Sequence, residues 1–142
     1  MPDARTQMLQ ASKEQNPNFP DGNESILTQF AYIGTVTTAQ GIVRVAACRS
    51  IISGMLSPRG QAWLSFHAED GTFVGSRPYV WSAPPLWCEG SRIYFFGLQG
   101  SDEEGVGNAL ELADGLETAR WVTEQREGSW MPALTSSQTS EK

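Results

Sequence analysis

Residues 62–81 hold the strongest local signal in the chain: two alternating runs joined by a tight turn. AlaTrpLeuSerPheHisAla covers Ala62–Ala68, and ThrPheValGlySerArgProTyrValTrp covers Thr72–Trp81. Between them lies Glu69-Asp70-Gly71, where Gly71 can supply the positive φ of a three-residue hairpin loop. Such a loop pairs Ala68 with Thr72, His67 with Phe73, Phe66 with Val74 and Trp63 with Arg77. Side chains alternate faces along a strand. One face then carries Ala62, Leu64, Phe66, Ala68, Val74, Pro78 and Val80, a core-like set. The other carries Trp63, Ser65, His67, Phe73, Arg77, Tyr79 and Trp81. Trp, Tyr and Arg dominate recognition surfaces. The second face is therefore the candidate binding site, with Trp63, His67, Phe73, Arg77, Tyr79 and Trp81 as its residues. In this register Trp63 and Arg77 are cross-strand neighbours within cation–π reach.

The rest of the middle region is also strand-like. Phe30, Tyr32, Gly34 and Val36 alternate with more polar positions, Ala39-Gln40-Gly41 can turn, and Ile42, Val43 and Val45 open the next run. A hairpin of about 27–38 with 42–52 follows, although Ala46–Leu56 also fits a helical period. Ser57-Pro58-Arg59-Gly60 turns the chain, and Arg92–Gly97 is a short, mostly apolar strand.

Residues 101–127 fit two patterns. Ser101-Asp102-Glu103-Glu104 is a capping box, with Ala109, Leu112, Leu116 and Ala119 at helical spacing behind it. Gly105, Gly107 and Gly115 oppose a helix, and Asp114-Gly115 signals a hairpin instead. The fold expected is mainly β (α+β): an antiparallel sheet, sandwich or small barrel of five to seven strands, with one C-terminal helix. Residues 1–24 and 132–142 are polar and Pro-containing and read as disordered tails around a single domain at 25–131, with a short helix at Ala4–Glu14, carrying Met8 and Leu9, as the alternative for part of the first.

Charge and cysteine narrow the function. The net charge is −6, with residues 26–100 mildly basic and residues 101–142 strongly acidic. An acidic chain lacks the basic footprint of a general nucleic-acid binder. No apolar run approaches the ~18–20 residues of a membrane span. Cys48 and Cys88 match no metal or redox spacing. Residues 1–25 show no apolar stretch of the signal-peptide kind, so a reducing, cytoplasmic location and two free thiols are expected.

Catalytic signals are weak. No HExxH, GxSxG or phosphate-loop pattern occurs. His67 is the single histidine, and Ser65 lies two positions away on the same strand face, ~7 Å along an extended chain, too far for a Ser–His hydrogen bond. No catalytic residue, metal or cofactor is assigned. The expected function is a non-enzymatic binding or protein-interaction module using the aromatic/Arg face. Its partner is a protein, and a homo-oligomer stays open. The alternative is a small enzyme whose site is shared in an oligomer or depends on a cofactor.

Overall fold

A computed structural model describes residues 3–52, 59–101 and 105–123. Eight strands are present among them, with one helix at the N-terminal end. The helix α1 spans Ala4–Gln15; the strands are β1 (Ser25–Thr38), β2 (Gly41–Ile52), β3 (Arg59–Ala68), β4 (Phe73–Pro78), β5 (Pro85–Glu89), β6 (Arg92–Ser101), β7 (Gly105–Glu111) and β8 (Arg120–Val122). They form two antiparallel four-stranded sheets in the orders β1-β2-β3-β4 and β5-β6-β7-β8. Within each sheet, consecutive strands pair, which keeps loop closure short.

Two expectations are corrected here. The strand count exceeds five to seven. Residues 105–123 form β7 and β8 rather than a C-terminal helix; residues 124–127 lie outside the described residues. The glycines decide it: Gly107 is buried against the Val122 backbone, with no room for a side chain. A strand pair can use that close approach.

The two sheets share one buried cluster. Val36, Val45, Leu64 and Phe66 from the first meet Ile93, Phe95, Leu110 and Trp121 from the second. Burial of such side chains contributes ~1.5–3 kcal/mol each before entropy is charged.

A second, smaller cluster lies on the other face of the first sheet. Here α1 buries Met8 completely, against Phe30, Ala46 and Cys48. Asp3 caps the helix by accepting from the Thr6 N–H at 2.8 Å. Arg5 Nε donates to the Phe30 carbonyl at 2.6 Å, and Gln15 Oε1 accepts from the Phe73 N–H of β4 at 2.8 Å. The packed body thus takes in part of residues 1–24, ahead of the boundary expected at 25. Composition could not show this packing, because two apolar side chains, Met8 and Leu9, and the polar anchors Arg5, Ser12 and Gln15 hold a helix that is otherwise hydrophilic. Residues 132–142 lie outside the described residues.

The β3–β4 turn forms as the sequence implies. The Ala68 N–H donates to the Thr72 carbonyl and the Gly71 N–H to the Ala68 carbonyl, both at 2.9 Å, with Gly71 at φ 97°. His67 faces Phe73. One pair further on, a bulge shifts the register: Phe66 faces Gly75, Leu64 faces Arg77 and Trp63 faces Pro78. The expected Trp63–Arg77 pairing is therefore not made. A bulge adds one residue to one strand and exchanges the faces of everything beyond it.

Candidate functional site

The bulge splits the predicted face in two. Trp63, His67 and Phe73 stay on the outer side of the first sheet, with α1. Arg77 and Tyr79 turn inward, toward the second sheet. Tyr79 joins the shared core, its ring 6.1 Å from Phe95, and its hydroxyl accepts from Arg49 Nε at 3.4 Å. Trp81 is 40% exposed and lies over Gly60, where a Cβ would come within 2.6 Å of its ring. The Arg49 guanidinium stacks 4.3 Å from the Trp81 ring centre and donates to the Trp81 carbonyl at 2.8 Å. The six predicted residues do not form one surface.

On the outer side a polar network is sealed beneath α1. Ser12, Ser65 and His67 are essentially without exposure. His67 Nδ1 faces the Gly71 carbonyl at 2.9 Å, so this nitrogen carries the proton and donates. Burial lowers the His67 pKa, and the nearby Arg44 lowers it further, against the opposing pull of the Gly71 carbonyl. The ring is neutral, and Nε2 accepts from the Ser65 hydroxyl at 2.7 Å. Ser12 Oγ lies 3.2 Å from both Ser65 Oγ and Nε2. The expected separation of Ser65 and His67 is corrected: the imidazole reaches back along the strand and closes the gap. Phe30 and Phe73 pack edge-on against the same ring, at 6.4 and 5.7 Å.

On the inner side, Arg77 is half-buried at the sheet edge with its guanidinium 5.3 Å from the centre of the Trp121 ring. Among the described residues it has no carboxylate partner. Arg92 by contrast pairs with Glu111 at 2.6 Å. Burial works against the Glu111 carboxylate, yet the Ser91 hydroxyl and Arg92 hold its pKa below the usual range. Around Arg77 a cleft of about 440 Å³ is bordered by Tyr79, Val80, Ser101 and Trp121. Its back is stiffened by buried Gln99, which accepts from the Val80 N–H at 2.7 Å and donates to the Ala83 carbonyl at 2.6 Å. A second groove, of about 360 Å³, opens beside Trp63 where α1 ends.

Arg49, Trp121, Ser12 and Gln99 were missed by sequence reasoning. Each acts through a partner distant in the chain, and no local pattern marks it.

Cys48 and Cys88 are free thiols. Burial pushes both pKa values up, that of Cys88 to about 12, so neither supplies a thiolate near neutrality. Among the described residues no group of three His, Cys, Asp or Glu side chains is placed to hold a metal ion, and no helix is long and apolar enough to cross a membrane. No family model, curated protein or solved structure matches this chain.

Proposed function

We propose that this chain is a non-enzymatic binding module, a β-sandwich that recognises a protein partner through the cleft around Arg77. The observation that carries this is the Arg77 guanidinium over Trp121, half-exposed and without a carboxylate partner among the described residues. Arg offers a planar fork of donors to a carboxylate, and the indole behind it holds that fork in place. The partner surface is therefore acidic, with an apolar contact for exposed Val80. Free thiols suit a reducing compartment, the cytoplasm.

Capture on the immobilised full chain from its source cells tests the reading, beside Arg77→Ala and Arg77→Lys. A protein retained by the parent chain and lost on both variants, at unchanged melting temperature, supports it. Equal retention on all three overturns it.

One observation favours the enzyme alternative. A serine hydroxyl on a neutral histidine, oriented by a second hydrogen bond, is how a nucleophile is activated. Ser65 and His67 have that geometry but no exposure, so substrate would have to displace α1. Labelling of Ser65 in the folded chain by a fluorophosphonate probe would revive that reading.

A further inference from the structure

We propose that the groove at the end of α1 is a binding site for a neutral saccharide. The helix covers the outer face of the first sheet over Ser65 and His67 and stops at Gln15. Beyond it, Trp63 and its cross-strand partner Pro78 form an uncovered stretch of the same face, flanked by exposed Gln61 and Ser76. Asn16 and Asn18, in the chain that leaves the helix, supply the facing wall. The volume of about 360 Å³ lies in the range of small-ligand sites.

The lining selects the ligand. It contains three carboxamides, one aliphatic hydroxyl and the Trp63 indole, and no acid, Lys, Arg or His. An anion would find no cation there, and a cation no carboxylate. A wholly apolar ligand would strip water from the carboxamides and return no hydrogen bond. Carboxamides and hydroxyls both donate and accept, as sugar hydroxyls do. The C–H faces of a sugar ring are apolar and fit against an indole. Asn18, Gln61 and Ser76 are exposed, and their side chains make no hydrogen bond within the described residues.

The site is also set in advance. Asn16 is buried; its N–H donates to the Ser12 carbonyl at 2.9 Å, and its Oδ1 accepts from the Asn18 N–H at 2.9 Å. Trp63 is pinned by packing against the cluster of Met8 and Cys48. Groups already held in place lose little freedom when a ligand arrives. The groove is distinct from the Arg77 cleft, although Pro78 and Tyr79 border both.

Saturation-transfer NMR and calorimetry on the full chain test this, with cellotriose, maltotriose and triacetylchitotriose as probes at millimolar concentration. At least one probe should bind saturably, and Gln61→Ala and Asn18→Ala should each weaken it about tenfold, the loss of one hydrogen bond. Both side chains are exposed, so the variants keep the fold; Trp63→Phe adds a test of the ring. The proposal is overturned if none of the three sugars binds saturably. It is equally overturned if the bound sugar is indifferent to both carboxamide substitutions, or if trialanine binds there and the sugars do not.

Discussion

Strand β3 is covered on both sides, and the two covers obey different rules. Its inner side chains, Leu64 and Phe66, meet the second sheet in an apolar cluster. Its outer side chains, Ser65 and His67, meet α1 through hydrogen bonds. The inner contact is non-directional and grows with the area removed from water. The outer contact is permissible because the polar atoms of Ser12, Ser65 and His67 satisfy one another; an unmet donor among them would cost as much as several good contacts contribute. A polar strand face can therefore be an interior face, provided something arrives to complete its hydrogen bonds. Here that something is a helix from the other end of the sheet sequence.

Leu64→Ala strikes the inner cover and should have the largest effect, a loss of roughly 2–5 kcal/mol in urea denaturation. A loss below ~1 kcal/mol would mean that the two sheets do not share a core. Ser65→Ala strikes the outer cover by leaving His67 Nε2 without its closest donor, and should cost about 1–3 kcal/mol. Amide exchange in α1 should accelerate more than in β6; equal acceleration would show that the network does not tether the helix.

Between pH 7.5 and 5, above the carboxylate range, acidification should act on the outer cover. His67 is held neutral, with a folded-state pKa below its unfolded value of ~6.5. Above that value neither state binds the proton and the histidine contribution is complete. As pH falls below it, the unfolded chain protonates first and stability is lost, until the folded-state pKa is passed. Melting temperature should therefore fall between pH 7.5 and 5, and His67→Asn should flatten that slope. A parent chain insensitive to pH in this window would contradict the sealed, neutral ring.

The smallest effect is expected at the edge. Arg77→Ala removes one partly exposed cation–π contact and should cost less than ~1 kcal/mol. A loss as large as that of Leu64→Ala would place Arg77 in the core and remove it from the recognition surface.

The β3–β4 turn was readable because its cause is local: Gly71 supplies a positive φ, and Asp70 Oδ1 accepts from the Thr72 N–H at 2.9 Å. The bulge at Val74 was not predicted, although Gly75 beside it is a local mark, since an isolated glycine within a strand run is a common place for a bulge. That one residue decides which way Arg77 and Tyr79 point. It also makes the predicted recognition face two half-faces, one under α1 and one toward Trp121.

Residue pattern was enough to specify a mainly β chain, its β1–β2 and β3–β4 turns and the apolar inner set of β3. These follow from side-chain period and backbone preference within a few residues. Tertiary structure alone decided the coverage of Ser65 and His67 by Ser12, the stacking of Arg49 on Trp81 and Arg77 on Trp121, and the strand state of residues 105–111. Each of these depends on contacts between residues far apart in the chain. Their free energy exists only once the sheets and the helix have met, so no local window of sequence contains it.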